Sequence, residues 1–358
     1  MLKAREAIQS LKEYHPPLGG RSGLRLDFNE NTVGASPRVL QRLQQLTLED
    51  LARYPEREPV EAVVAASLGL EKDEVLLTNG VDEGIHLLCE TYLEPDNEAI
   101  IVVPTFAMYE ISAAATGARV VRVPAREDFS FPLEAVLAAV TPQTRLIAVA
   151  NPNNPTGTVV TGEGLLQIAN TAPQAAVLLD EAYYEFCGQT LLPSIRGHGN
   201  IFVARTFSKA YGMAGLRVGV LAGTGDQMRM VRRVASPYNV NVAALIALPE
   251  ALQDKEYVCR YVGQVQRGRN LLQQEFQPRG ISYCPSQANF VLAQIGAAHA
   301  AFVAAMKQRG ILVRDRSSDP GCDGWVRITL GSEAHTEQLL TALRQVLAEL
   351  KIAPEVVA

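Results

Sequence analysis

The chain has 358 residues, of which 47% are hydrophobic and 20% are charged, and its formal net charge at pH 7 is −5. This length exceeds a typical single hydrophobic core, so we expect two domains. The acidic balance argues against a general nucleic-acid surface, and no apolar run approaches the roughly 20 residues of a membrane span. The N-terminus lacks the apolar core of a signal peptide.

The five cysteines are scattered and odd in number, a pattern that favours reduced thiols in a cytoplasmic protein. The five histidines are isolated from one another and the motif H-E-x-x-H is absent, so we expect no transition metal. The sequence also lacks a Walker phosphate loop and a complete dinucleotide-binding fingerprint.

The first 28 residues predict an irregular arm, which carries Tyr14 and the pair Pro16-Pro17 and ends in a short strand over residues 24–28. Turn and cap signals follow this strand. Helical spacing then predicts two helices, over residues 37–46 and 59–68.

From residue 74 onward, strands alternate with helices. Apolar runs predict buried strands over residues 75–78, 100–103, 119–123, 146–150, 177–179, 201–204 and 216–221. Helical spacing predicts intervening helices over residues 81–92, 106–115, 133–140 and 165–171. This alternation predicts an α/β fold with a mostly parallel sheet that helices cover on both faces. Ligands in such sheets bind beyond the carboxyl ends of the strands.

After residue 251 the pattern changes to that of an α+β unit. A long helix is predicted up to residue 276, followed by strands over residues 288–292, 311–314 and 325–330 and by helices over residues 301–309 and 336–350. We interpret this region as a second, smaller domain, which the N-terminal arm is expected to join.

The stretch Thr206-Phe-Ser-Lys-Ala-Tyr-Gly-Met-Ala-Gly-Leu-Arg-Val-Gly219 lies between two predicted strands. A lysine just past a strand end, such as Lys209, can be held in a cleft where desolvation lowers its pKa and makes the amine nucleophilic. The hydroxyls of Thr206 and Ser208 and the guanidinium of Arg217 suit a phosphate ester. These are the groups that pyridoxal phosphate requires. A solvated loop with a surface lysine is the alternative.

Asp180 ends a predicted buried strand and begins the run Asp180-Glu-Ala-Tyr183. A carboxylate in that place is costly unless it is paired, and a protonated pyridine nitrogen would pair with it. The alternative is an aspartate that caps the next helix.

Two loops follow other strand ends. The asparagines and prolines of Asn151-Pro-Asn-Asn-Pro-Thr-Gly157 make a rigid turn whose amide can donate a hydrogen bond to a ring oxygen. In Asn79-Gly-Val-Asp-Glu83, backbone N–H groups at a helix N-terminus offer an anion site. The alternatives are a tight loop without a ligand and an ordinary capped helix.

Arg314 and Arg327 close strands of the second predicted domain. Two arginines on facing strand ends can bind a carboxylate or a phosphate bidentately, whereas either one alone suits a surface ion pair.

In their order and spacing, the motifs N-G-x-D-E, N-P-N-N-P-T-G, D-E-A-Y and S-K with G-L-R-x-G resemble those of the fold-type I, pyridoxal-phosphate-dependent aminotransferases of class II. Among these, the chain is most similar to the histidinol-phosphate aminotransferase family. That likeness is carried by Asp27-Phe-Asn-Glu-Asn31, Arg53-Tyr-Pro55, Pro237-Tyr-Asn-Val-Asn241, Gly310-Ile-Leu-Val-Arg-Asp315 and Arg327-Ile-Thr329. It extends over residues 14–350.

The resemblance implies a three-layer α/β fold with a large cofactor domain, built on a mostly parallel sheet, and a smaller α+β domain. It assigns residues 1–48 to the N-terminal arm and part of the small domain, 49–250 to the large pyridoxal-phosphate-binding domain and 251–358 to the small C-terminal domain.

The resemblance also implies three catalytic residues. Lys209 forms the Schiff base and shuttles the proton, Asp180 pairs with the pyridinium nitrogen, and Tyr183 hydrogen-bonds the ring hydroxyl oxygen together with Asn154. Phe106 stacks on the ring, at a position where the family often has tyrosine. The residues implied for the phosphate and its surroundings are Gly80, Val81, Asp82, Thr206, Ser208, Arg217 and, from the neighbouring subunit, Tyr54.

The implied reaction transfers the amino group of histidinol phosphate to 2-oxoglutarate, in a homodimer with shared active sites. The residues implied for substrate binding are Tyr14, Tyr109, Asn154, Tyr238, Arg314 and Arg327. The arm His15-Pro-Pro-Leu-Gly-Gly20 departs from the family pattern P-Y-x-P-G. Three alternatives remain open: an aromatic amino acid aminotransferase, a threonine-phosphate decarboxylase on the same scaffold, and a non-catalytic regulatory module.

Overall fold

A computed structural model describes residues 2–15, 19–20 and 22–352. The strands β1–β12 are, in chain order, Leu24–Arg25, Val75–Thr78, Glu98–Val103, Arg119–Pro124, Thr144–Ala150, Ala176–Asp180, Ile201–Thr206, Gly219–Ala222, Phe290–Gln294, Ile311–Leu312, Arg314–Asp315 and Trp325–Thr329. The α-helices α1–α14 are Glu6–Gln9, Pro37–Leu43, Leu48–Ala52, Glu58–Leu68, Gly80–Tyr92, Met108–Thr116, Leu133–Ala138, Gly162–Thr171, Tyr184–Cys187, Gly225–Val231, Val242–Gln253, Lys255–Phe276, His299–Gln308 and Glu333–Glu349.

A seven-stranded sheet organises the first two thirds of the chain. Its strand order is β2-β8-β7-β6-β5-β3-β4, and β8 runs antiparallel to both of its neighbours while the other pairs are parallel. The central strands are continuous apolar runs, and all five residues of β6 are buried. Such runs are typical of a sheet that is covered on both faces. The predicted mostly parallel sheet is confirmed.

Helices cover both faces of this sheet. On one face, Val64 of α4, Ile168 of α8 and Leu248 of α11 belong to the same apolar core as alternate strand residues. On the other face, Leu88 of α5 and Met228 of α10 pack on the remaining strand residues. The two cores lie on opposite sides of one sheet, which is the predicted three-layer arrangement.

A smaller α+β unit follows. Strands β11, β12 and β9 form an antiparallel sheet in that order, and helices α12, α13 and α14 contribute to its core. The N-terminal arm adds β1, which pairs in parallel with β10 so that Leu24 lies opposite Ile311. The arm therefore joins the C-terminal unit, as expected.

The division of the chain into domains remains a prediction, but the packing bears on its first boundary. Leu26 packs into the core of the smaller unit, whereas Val39 of α2 packs into the core of the large sheet. The chain therefore passes from one core to the other before residue 48. The prolines Pro16 and Pro17 of the predicted arm lie outside the described residues.

Several elements differ from their predictions. The strand expected over residues 24–28 ends at Arg25, and α11 was not predicted, because it contains Pro249, a residue that normally ends a helix. Among the described residues, no helix is both long and apolar enough to cross a membrane.

Candidate active site

A cavity of about 300 Å³ lies at the edge of the large sheet where β2, β5, β6 and β7 have their carboxyl ends. This is the edge at which α/β sheets bind ligands. The residues that line the cavity are Phe28, Glu30, Val81, Asp82, Phe106, Tyr109, Ala150, Pro152, Asn154, Asp180, Ala182, Tyr183, Thr206, Ser208, Lys209, Ala214 and Arg217. Ten of the predicted cofactor residues are in this set, and Gly80 directly precedes Val81.

Lys209 lies three residues beyond the end of β7, and its Nζ donates a hydrogen bond to the backbone carbonyl oxygen of Phe28 at 3.1 Å. Burial, together with the nearby positive charge of Arg327, lowers the pKa of Lys209 to about 8. Near pH 7.4 an amine with this pKa is mostly protonated, but roughly a fifth of it is neutral, far more than for an ordinary lysine. The neutral amine is the nucleophile.

Asp180 is the last residue of β6 and is 5% exposed. Its Oδ2 accepts a hydrogen bond from the Tyr109 hydroxyl at 2.5 Å, and its Oδ1 accepts one from the Ala182 backbone N–H at 2.9 Å. Burial raises the pKa of Asp180 to about 6, although both hydrogen bonds oppose this change. Both donors are neutral, so a cation in the cavity would stabilise the carboxylate.

Tyr109 lies on α6 at 1% exposure, and its hydroxyl donates a hydrogen bond to Asp180. Helix α6 packs Tyr109 into the core between this helix and the sheet. Tyr109 therefore positions Asp180, and its predicted contact with the substrate stays a prediction. The ring of Phe106 meets the ring of Tyr109 edge to face, with centroids 5.8 Å apart.

Tyr183 and Asn154 are held by residues from distant parts of the chain. The Tyr183 hydroxyl accepts a hydrogen bond from Asn29 Nδ2 at 2.8 Å, and Asn154 Oδ1 accepts one from a terminal nitrogen of Arg327. No role was predicted for Asn29, but its signal was present in the sequence motif Asp27-Phe-Asn-Glu-Asn31. Arg327 was predicted to bind the substrate. In the structure it also orients Asn154 through this hydrogen bond.

Backbone and side-chain donors converge at the N-terminus of α5. Gly80 is its first residue, with φ at +74°, and a Cβ on this glycine would lie 2.5 Å from Arg217 Nη2. Arg217 Nη2 in turn donates to Asp82 Oδ2 at 3.0 Å. The side chains of Thr206 and Ser208 are buried at the same cavity. A helix N-terminus beside a guanidinium and two hydroxyls is an anion site.

A second cavity of about 430 Å³ adjoins the first and shares Phe28, Phe106, Asn154, Tyr183 and Lys209 with it. Its outer wall brings together the following residues predicted for the substrate: Tyr14, Arg314 and Arg327. It also contains Arg316 and Asp319, for which no role was predicted.

Arg327 is 5% exposed and donates to the backbone carbonyl oxygen of Asp27 at 2.6 Å as well as to Asn154. Burial lowers the pKa of Arg327 to about 10, and Arg316 adds to this effect. The guanidinium of Arg314 lies 5.4 Å from the centroid of the Phe28 ring. Paired arginines of this kind suit an anionic group of a ligand.

Tyr54 and Tyr238 line neither of these cavities. Their rings stack on each other with centroids 4.3 Å apart, and the two residues are 77% and 57% exposed. Tyr54 was predicted to act at the cofactor of the neighbouring subunit, so the roles of Tyr54 and Tyr238 stay predictions.

The fold and the arrangement of lysine, aspartate and anion cradle are those expected of an aminotransferase. The family model described as aminotransferase class I and II matches residues 21–343. The chain belongs to this family. It is 36% identical to the histidinol-phosphate aminotransferase of Moorella thermoacetica, over 97% of this chain and 93% of that protein. It is 35% identical to histidinol-phosphate aminotransferase 2 of Pseudomonas fluorescens, over 96% and 97% of the two chains.

A comparison with solved structures also finds a histidinol-phosphate aminotransferase. The crystal structure of histidinol-phosphate aminotransferase from Sinorhizobium meliloti, in complex with pyridoxal-5'-phosphate, aligns with a TM-score of 0.87 at 26% identity and covers 98% of this chain and 99% of that one.

Proposed function

We propose that this aminotransferase uses pyridoxal 5'-phosphate to transfer the amino group of histidinol phosphate to 2-oxoglutarate, forming imidazole acetol phosphate and glutamate in histidine biosynthesis. One observation carries the cofactor assignment: a buried lysine with a lowered pKa, a buried aspartate bonded only to neutral donors and an anion cradle line one cavity. The substrate assignment is supported by the two relatives described above and by the arginines of the adjoining cavity.

The cavity fits the cofactor at three points. Gly80 leaves the space at the N-terminus of α5 that a Cβ would fill, so Val81, Thr206, Ser208 and Arg217 can surround a phosphate. Asp180 offers a carboxylate to a pyridinium nitrogen. When bound, pyridoxal phosphate supplies an electron sink for the charge that develops on the substrate carbon.

The residues around the ring act by binding and orientation. Asn154 Oδ1 is occupied by Arg327, which leaves Asn154 Nδ2 as the donor for the ring hydroxyl oxygen. The Tyr183 hydroxyl accepts from Asn29 and can donate to the same oxygen. Phe106, which lines the same cavity, would cover one face of the cofactor ring, and Asp82, which accepts a hydrogen bond from Arg217, would hold Arg217 near the phosphate.

Lys209 moves the proton. With cofactor and substrate bound, its Nζ would accept the proton from the substrate Cα and hold it for return. A lowered pKa suits this role because the free amine must accept and release a proton near neutral pH. The hydrogen bond to the Phe28 carbonyl oxygen fixes Nζ between the two cavities, both of which it lines.

Arg314, Arg327 and Tyr14 are proposed to bind the anionic end of the substrate, since all three line the adjoining cavity. A phosphate on the amino donor and a distal carboxylate on 2-oxoglutarate must be accepted in turn. Guanidinium groups serve both, because their N–H donors match carboxylate and phosphate geometry.

A homodimer with shared active sites is part of the proposal, as is a cytoplasmic location. The exposed side chains of Leu48, Leu51, Tyr54 and Tyr238 support the dimer, since exposed apolar side chains close together favour a protein partner. In the dimer, Tyr54 would reach the cofactor phosphate of the neighbouring subunit. The scattered, odd-numbered cysteines favour a reducing compartment.

Steady-state assays with a panel of amino donors test this function. With 2-oxoglutarate as acceptor, histidinol phosphate should give glutamate with a kcat/KM at least about 100-fold above that for phenylalanine or tyrosine, because removing charge-assisted hydrogen bonds costs that much. A preference for the aromatic amino acids would overturn the substrate assignment and keep the cofactor. Release of CO₂ from threonine phosphate without glutamate formation would replace the transaminase by a lyase.

A further inference from the structure

The adjoining cavity contains a third arginine, Arg316, which follows β11. The Arg316 backbone N–H donates to the Trp325 carbonyl oxygen at 2.9 Å. The Arg316 carbonyl oxygen accepts a hydrogen bond from the Asp319 backbone N–H at 2.9 Å. These bonds fix the main chain of Arg316 between β12 and the turn that carries Asp319. The main chain therefore brings Arg316 to the wall of the cavity.

The side chain of Arg316 is 13% exposed and forms an ion pair with Asp319, whose side chain is 21% exposed. The Nε of Arg316 is buried and has no hydrogen-bond partner among the described residues, and the same holds for the Nε of Arg327. Because neither Nε is exposed, these two cavity-lining residues would contact a ligand through their terminal guanidinium nitrogens.

The neighbouring acids are committed elsewhere. Asp315 Oδ2 lies 2.9 Å from His299 Nδ1, and Asp315 Oδ1 accepts from the Ser317 backbone N–H. Glu110, at another wall, pairs with Arg122. Asp319 is thus the acid paired with Arg316.

Arg314, Arg316 and Arg327 line the same cavity, and the positive charges of Arg316 and Arg314 both lower the pKa of Arg327. Two guanidinium groups suffice for a carboxylate, which carries one negative charge. A phosphate monoester carries about −1.5 to −2 at pH 7 and has three acceptor oxygens. The third arginine therefore matters more for a phosphate than for a carboxylate.

We propose that Arg316 is a specificity-determining residue, whose guanidinium, held in place by Asp319, favours a donor with a dianionic phosphate over one with a single carboxylate or no charge. This inference rests on the proposed function, because it concerns the donor end of the same site. Arg316 acts on binding of the phosphate and takes no part in proton transfer.

The test compares Arg316→Gln and Arg316→Lys with the wild-type holoenzyme. The three substrates are histidinol phosphate, histidinol without the phosphate, and glutamate. Arg316→Gln should lower kcat/KM for histidinol phosphate by about 10- to 100-fold, mainly through KM, because one hydrogen bond to a charged group is lost. The values for histidinol and glutamate should stay within about threefold, and Arg316→Lys, which keeps the charge, should recover most of the loss.

Arg267→Gln is the matched control, because Arg267 pairs with exposed Glu333 and lines neither cavity. It should leave all three values unchanged. An equal loss on all three substrates in Arg316→Gln would show a structural role and overturn the proposal, as would no loss on histidinol phosphate. A wild-type enzyme that does not use histidinol phosphate at all would instead refute the proposed function.

Discussion

Asp180 and Glu181 are adjacent in the chain and both are buried, yet they have opposite electrostatic surroundings. Glu181 forms an ion pair with Arg205 at 2.9 Å and accepts further hydrogen bonds from Thr190 and the Leu191 backbone N–H. Asp180 accepts from one tyrosine hydroxyl and one backbone N–H, both of them neutral. Burial raises the pKa of both carboxyls, but Arg205 opposes this effect only at Glu181.

This difference in partners shows that the Glu181 carboxylate stabilises the fold, whereas the Asp180 carboxylate is available to a ligand. Glu181 and Arg205 neutralise each other inside the fold, and the pair holds the turn after β6 in place. The charge of Asp180 faces a cavity and is bonded only to neutral donors, which is costly unless a ligand brings the cation. We infer that a buried carboxylate without a cationic neighbour marks the cofactor site more clearly than burial alone.

The largest expected effect is at Lys209, whose amine lines the same cavity as Asp180. Lys209→Ala should lower the transamination rate by more than about 10⁴-fold, because nucleophile and proton carrier are lost together. Lys72→Ala, which removes a surface ion pair with Glu58, is the control. Normal turnover by Lys209→Ala would refute the mechanism.

Exchanging each of the adjacent acids for its amide tests the comparison itself. Asp180→Asn should lower the rate by about 10²- to 10⁴-fold, because the pyridinium nitrogen loses its charged partner. Glu181→Gln should retain most of the activity but lower the free energy of unfolding by about 3 kcal/mol, since it leaves Arg205 buried without its partner. Similar losses of activity in both variants would remove the distinction between the two acids.

The same two variants have opposite expected effects on the stability of the cofactor-free protein. The folded-state pKa of Asp180, about 6, lies above its ordinary value of 3.8, so ionisation of Asp180 lowers the free energy of unfolding progressively as the pH rises from about 4 to about 6, and the full cost is present above pH 6. Asp180→Asn should therefore raise the free energy of unfolding at pH 8 by about 1–3 kcal/mol, and the gain should vanish near pH 4. Chemical denaturation of the wild type and of Asp180→Asn at both pH values measures this difference in the free energy of unfolding.

Gly80→Ala tests the anion cradle. The added Cβ would collide with Arg217 and would occupy a left-handed backbone position, so cofactor affinity should fall by about 10- to 100-fold. Gly215→Ala is a matched control, because a Cβ there meets no atom within 4 Å. Equal affinity in the two variants, measured by equilibrium titration with pyridoxal phosphate, would argue against a phosphate at this helix end.

Tyr109→Phe should have the smallest effect. The Tyr109 hydroxyl lowers the pKa of Asp180, so its removal should raise that pKa and move the acid limb of the rate profile to higher pH. The expected loss at pH 7 is about tenfold, the value of one hydrogen bond to a charged group. If Tyr109 bound the substrate instead, KM would change and the acid limb would stay in place.

Much of the large sheet was predictable from sequence because its strands are uninterrupted apolar runs. Strand β2 begins and ends at the predicted residues. The predicted asparagine Asn154 follows β5, Asp180 ends β6 and Lys209 follows β7. The phosphate loop and the lysine loop are local motifs, so their chemistry could be inferred before their geometry was known.

Contacts between distant segments were not predictable in the same way. The Asn29–Tyr183 bond joins residues 154 positions apart, and the Arg327–Asn154 bond joins residues 173 apart. The orientation of Tyr109 depends on how α6 packs, which helical spacing alone does not determine. No role was predicted for the pair Arg316–Asp319, because only the fold brings it to the cavity.

The absorbance spectrum of the purified protein, loaded with pyridoxal phosphate, tests the central claim most directly. Histidinol phosphate should convert the band of the lysine-bound cofactor to that of the aminated cofactor, and 2-oxoglutarate should restore it. Asp180→Asn should slow this conversion far more than Glu181→Gln does. A protein that forms no lysine-bound band in the presence of pyridoxal phosphate would contradict the assignment of Lys209 and Asp180 to one cofactor site.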